Sequence, residues 1–142
     1  MSDQNFAKII SEDVLQAKCW EWAWNTYPQL RRKFWAVPNG GWRNAIEASK
    51  LKATGTLEGV WDMHCYVKKQ FYIIEFKVGG NQLTVDRVVK GKKHFGQKEW
   101  GEIMEAEGAI KFVCRTEDEF KNVFNGIVSG LWLAAKIALK LV

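Results

Sequence analysis

The chain has 142 residues, 47% of them hydrophobic and 26% charged, so it can bury one core and is too apolar for a disordered segment. Its formal net charge of +5 suits a polyanionic partner. Cys19, Cys65 and Cys114 are widely spaced, odd in number and form no CxxC pair, which argues against a disulfide framework and against a thiolate zinc site.

Isolated thiols suit a reducing setting, and Met1 to Lys8 carry no apolar signal core, so a cytoplasmic location is expected. Ser11-Glu12-Asp13 has the pattern of a helix start, a cap residue followed by two acids, and predicts a helix from about Glu12 to Thr26. Trp20, Trp24 and Tyr27 fall on one face of it, a stripe read as core packing. Leu30 to Val37 is read as a second short helix leading into a strand. Pro38-Asn39-Gly40-Gly41 is a turn signal, and Arg43 follows it directly. Residues 44–53 favour helix, with Gly55 as its stop.

Two runs rich in aromatic and β-branched residues come next, Gly59 to Val67 and Phe71 to Val78, separated by Lys68-Lys69-Gln70. They predict a hairpin. Strand side chains alternate, so Glu75 and Lys77 point to one side. Asp62 joins them only if the loop has an even number of residues, as Lys68-Lys69 or as Val67 to Gln70; a three-residue loop turns it away unless a bulge intervenes. His64 shares the Asp62 face in a regular strand, and is read first as hydrogen-bonded scaffolding.

Gly79 to Lys93 is polar and basic, with Arg87, Lys90, Lys92 and Lys93 together. It is read as a loop with Val85 to Val89 partly ordered. Its cations are either a solvated surface or counterion-releasing contacts to a nucleic-acid backbone. His94, at its end, is read as a surface residue. Gly96 to Glu107 predicts a helix with Trp100 and Met104 on one side, and Ala109 to Cys114 a strand. Strand, helix and strand make a βαβ crossover and hence a parallel pair beside the hairpin. Thr116-Glu117-Asp118-Glu119 caps a helix running to about Ile127. The tail, Gly130 to Val142, is apolar but too short and too charged for a membrane span, and predicts an amphipathic helix packing on the domain or on a second subunit.

Taken in order, Pro38-Asn39-Gly40-Gly41-Trp42-Arg43, Leu51-Lys52-Ala53-Thr54-Gly55, Gly59-Val60-Trp61-Asp62, Ile74-Glu75-Phe76-Lys77 and Gln97-Lys98-Glu99-Trp100 resemble the VRR-NUC family, a branch of the PD-(D/E)XK nuclease superfamily. The resemblance covers about residues 12–125, with 126–142 as an added C-terminal helix. It implies a single α/β domain, a mixed central β-sheet flanked by helices. It implies that Asp62, Glu75 and the Phe76 backbone carbonyl ligate Mg²⁺ or Mn²⁺. Lys77 would position the attacking water, Gln97 would buttress the site, and Glu12, with Glu21 behind it, would supply the glutamate of the first helix. Arg43 and Lys52 would lie near phosphates, with Asn39, Lys92 and Lys93 as further nucleic-acid contacts. The implied activity is metal-dependent DNA cleavage, on branched DNA such as four-way junctions, by a homodimer without a membrane partner. Two features depart from the family. Trp61 stands where the family has proline before the metal aspartate, and the segment Gly79 to Gly96 is long and basic.

Overall fold

The computed structural model describes residues 3–38 and 45–140. The turn residue Asn39 and the phosphate candidate Arg43 lie outside the described residues. The hairpin organises the rest. Strand β2 (Met63–Val67) and strand β3 (Gln70–Phe76) are antiparallel, and Val67 pairs with Gln70. The loop is therefore Lys68-Lys69, both with positive φ (52° and 63°), as a tight two-residue turn requires. Strand β1 (Phe34–Ala36) pairs antiparallel to β2, and strand β6 (Ile110–Cys114) runs parallel to β3, giving one mixed sheet in the order β1-β2-β3-β6. The molecule is thus mixed α/β, and the parallel pair has the expected helical crossover, α3 (Gln97–Ala106).

Alternation gives the sheet two different faces. Met63, Cys65, Tyr72, Ile74, Phe76 and Cys114 point to helices α1 (Asp3–Thr26) and α4 (Glu117–Ser129), where Cys19, Ala23, Phe120, Phe124 and Ile127 close the core. The Trp20, Trp24 and Tyr27 stripe packs there: Trp20 and Trp24 stack at 5.6 Å, and both contact Phe34. Trp22 joins through edge contacts with Phe120 and Phe124. The three cysteines are buried and free, and burial pushes each thiol up to about 12, so they are inert filling. The opposite face carries His64, Phe71, Ile73 and Glu75, and α3 covers it through Trp100, which stacks on His64 at 5.5 Å.

Several boundaries differ from the sequence reading. α1 begins at Asp3, so Glu12 sits well inside the helix and not in its first turn. The segment read as a short helix is a single 3₁₀ turn, Pro28–Leu30, followed by β1. The segment read as a loop folds into a second small ladder, β4 (Arg87–Val89) against β5 (Lys92–His94), turned by Lys90 and Gly91 with φ of 51° and 76°. Helix α2 (Ala45–Ala53) ends as expected. Gly55 (φ +102°) donates its amide to the Lys52 carbonyl and Thr56 to that of Leu51, a pairing that requires a left-handed residue at Gly55. α4 is capped by Thr116, whose hydroxyl accepts from the Glu119 amide, while Glu119 reaches back to the Arg115 amide.

α4 and α5 (Leu131–Lys140) meet at a 72° bend, and no single helix among the described residues is long and apolar enough to cross a membrane. α5 folds back on its own domain. Trp132 donates to the Val123 carbonyl (2.8 Å) and packs on Phe112, and Lys136 donates to Gln70 Oε1 and to the Gly108 carbonyl. A Cβ at Gly126 would collide with the Trp132 indole. Gly126→Ala is accordingly expected to cost about 1–3 kcal/mol by overpacking. Urea melts would read that loss, and hydrogen exchange would show α5 losing protection before the sheet does.

Candidate functional site

Asp62 directly precedes β2. Met63 pairs with Ile74, so the next position outward sets Asp62 opposite Glu75, on the face covered by α3. The even loop produces this register. Asp62 Oδ2 accepts from the Phe76 amide at 2.9 Å, and the Asp62 and Glu75 carboxyls are close enough that each shifts the other's ionisation. Lys77, two residues past Glu75, is on the same side and almost fully buried, its backbone held to the Cys114 carbonyl at 3.1 Å. A carboxyl pair and an ammonium therefore lie in one dry corner at the open end of the hairpin.

Burial, and then the charge of Asp62, push the Glu75 carboxyl up to about 10; Lys77 pulls it down by less. Asp62 is raised as well, by burial first, while Glu75, the Phe76 amide and Lys77 lower it. Two neighbouring carboxyls in a water-poor site resist ionising together. Glu75 Oε1 accepts from Gln97 Nε2 at 3.0 Å, but Glu75 Oε2 is buried and has no hydrogen-bond partner.

That bare oxygen bears on the metal expectation. A buried acceptor without a donor is costly, and a cation would satisfy it. The donor set, two carboxylates beside a lysine, fits an oxygen-preferring ion such as Mg²⁺ or Mn²⁺. Among the described residues no cluster of three or more His, Cys, Asp or Glu side chains is arranged to hold a metal. Water and substrate would then complete the shell, as is usual for Mg²⁺. Of Phe76, the ring packs on Phe120 in the core and the amide serves Asp62; its carbonyl lies between Glu75 and Lys77 in the chain.

Gln97 is the first residue of α3 and makes four bonds there. Its side chain grips Glu75 and accepts from the Thr84 amide (3.1 Å), its amide donates to Thr84 Oγ1 (3.1 Å), and its carbonyl accepts from Trp61 Nε1 (2.8 Å). Glu12 does not bond the carboxyl pair. Its Oε1 accepts from Asn81 Nδ2 (3.1 Å) and the Val78 amide (3.4 Å), clamping the chain just past Lys77, and its charge reaches Asp62. Glu21 is exposed on α1. Lys52 lies in the last turn of α2, a helix with no buried residue. Lys92 and Lys93 are exposed on β5.

His64 is packed among Trp35, Phe71 and Trp100 and burial lowers its pKa, but its Nε2 is buried without a hydrogen-bond partner among the described residues, so it is held by ring packing and not by the hydrogen bonds expected of it. His94 Nδ1 pairs with Glu58 at 3.0 Å. Sequence reading missed Trp61 as a positioning residue, although its departure from proline was the signal. It is buried, and it packs so tightly on α3 that a Cβ at Gly101 would strike its ring. Sequence reading also missed Thr84, Asn81 and Arg115. The Arg115 guanidinium donates to the carbonyls of Gly79 (3.0 Å) and Asn81 (2.8 Å), fixing the loop that Glu12 holds from the other side. No family model, curated protein or solved structure matches the chain.

Proposed function

We propose that the chain is a divalent-metal-dependent DNA endonuclease with a PD-(D/E)XK core of the VRR-NUC kind, selective for branched DNA such as four-way junctions. The observation that carries this reading is the bare, buried Glu75 Oε2 beside Asp62, with the Lys77 ammonium in the same corner. Asp62 and Glu75 would hold Mg²⁺ or Mn²⁺, which when bound supplies a more acidic water and charge neutralisation at the phosphate. The chain's own parts have separate tasks. Gln97 fixes the Glu75 rotamer, the Phe76 amide orients Asp62, and Lys77 offsets negative charge where an attacking water and a phosphate oxygen meet. Symmetric cutting of a junction needs two sites, so a C2 homodimer is part of the proposal. Exposed Leu131, Ile137 and Leu139 on α5 support it as apolar surface.

The test is incubation with Mg²⁺ and a panel of linear, flapped and four-way DNAs. Cleavage of the four-way substrate is expected. Asp62→Ala or Lys77→Ala should reduce it by about 1,000-fold while DNA binding persists. Binding without cleavage in the wild-type chain would leave a non-catalytic module on this fold. Preference for nicked, linear or flapped products would make it a nickase or an exonuclease.

A further inference from the structure

We propose that the β4–β5 hairpin is a DNA-binding arm that enters the major groove of a duplex and holds it at a fixed distance from the carboxyl pair. The inference rests on the nuclease reading for its choice of polyanion, but its own support is separate.

Charge is the first support. From Arg87 to Lys93 the arm carries Arg87, Lys90, Lys92 and Lys93 and no acid, and all are exposed. Arg87 has Glu58 at 4.0 Å; Lys90, Lys92 and Lys93 enter no ion pair among the described residues. Such a concentration of unneutralised cations repels itself and is relieved by phosphates. Shape is the second. Strands of three residues rise roughly 10 Å. That compares with a B-DNA major groove about 12 Å wide and about 8.5 Å deep, which admits a two-stranded ribbon. Duplex RNA has a deep, narrow major groove that does not. The arm's apolar side chains, Val88 and Val89, are also exposed, so they do not serve the domain's core.

Anchoring is the third. At the root, Glu58 takes His94 (3.0 Å) and the Phe95 amide (3.4 Å), and Asp86 takes the Gly96 amide (2.7 Å). Thr84, just before the arm, is bonded to Gln97, and Gln97 holds Glu75. One side chain thus joins the root of the arm to the carboxyl pair. A ribbon seated in a groove would thereby tether the duplex to the helix start that holds Glu75.

The test uses the full chain with Asp62→Asn to prevent cutting, with and without Arg87→Gln, Lys90→Asn, Lys92→Thr and Lys93→Thr. Asn suits the positive φ of Lys90 and Thr suits a strand. Binding to a duplex DNA and to a duplex RNA of equal length is measured by fluorescence anisotropy over a salt series. Neutralising the arm should lower the slope of log K against log[salt] for DNA by about 3, and affinity by at least about 100-fold at moderate salt, with RNA binding unaffected. Lys92→Thr and Lys93→Thr alone should each lower the slope by about 0.9, which keeps the test decisive if the quadruple variant folds poorly. Unchanged slope and affinity overturn the arm while leaving the nuclease reading standing. Equal losses for DNA and RNA overturn the groove-entry claim. Loss of DNA binding in a chain whose wild type cuts no DNA supports the arm and sinks the nuclease reading.

Discussion

Replacing Glu75 by glutamine is expected to flatten the pH dependence of stability of the metal-free protein and to abolish its stabilisation by Mg²⁺. In the folded chain the Glu75 carboxyl keeps its proton up to about 10, whereas the unfolded chain releases it near 4.5. Between those values the folded state binds more protons than the unfolded one. Stability from this group is therefore greatest below the unfolded value and declines as pH rises, by up to about 1.4 kcal/mol per pH unit. Glutamine removes the titration but keeps the shape. Its carbonyl still accepts from Gln97 and its amide can donate to Asp62. Mg²⁺ competes with the Glu75 proton, so its stabilising effect on the wild type should grow with pH, reaching about 2.7 kcal/mol at a hundredfold excess over Kd. Urea melts at acid, neutral and alkaline pH, with and without Mg²⁺, read both effects. A wild-type curve that is level from acid to alkaline pH, or a Glu75→Gln chain that still responds to Mg²⁺, would contradict this account of the site.

Trp61→Ala should be among the most damaging single substitutions. It empties a fully buried indole that packs on Trp100 and Gly101, and it removes the donor to the Gln97 carbonyl. The expected loss is about 3–5 kcal/mol. For a domain of this size that lowers Tm by roughly 10–15 °C. Trp61→Phe separates the two roles. It keeps most of the packing and loses one hydrogen bond, about 1 kcal/mol. If the indole positions Gln97, the Phe variant should cut DNA more slowly with unchanged DNA affinity and near-normal Tm. If both variants lose stability in proportion to activity, the indole is packing alone.

The hairpin register was readable because it reduces to parity: only an even loop brings residues 62 and 75 face to face, and Lys68-Lys69 supplies it. The crossover and the α2 stop were readable for similar reasons, since a strand–helix–strand pattern and a glycine after a helix are local signals. Glu12 shows the limit of such signals. Ser11-Glu12-Asp13 imitates a cap, yet Ala7 and Lys8 are good helix formers and the helix runs through from Asp3. Its acid therefore acts not on a helix terminus but on Val78 and Asn81, far along the chain. The β4–β5 ladder was hidden because each strand has three residues, too few for alternation to register. The bonds that assemble the site around Gln97 come from Trp61, Glu75 and Thr84, and no window of sequence contains them together.

The N-cap of helix α3 is Gly96, which has no side chain to cap it, and the amides at the helix start are satisfied from elsewhere. Asp86 takes Gly96, Thr84 Oγ1 takes Gln97, the Thr84 carbonyl takes Lys98, and Glu99 returns a bond to the Asp86 amide. The segment between β3 and α3 is therefore not a dispensable appendage: a deletion trimming it to a short connector would fray the start of the crossover helix and release Glu75 with it. Changes of length should be tolerated in the ribbon's tip and not at 84–86, because backbone can be added or removed at the tip without unseating the helix that backs the carboxyls.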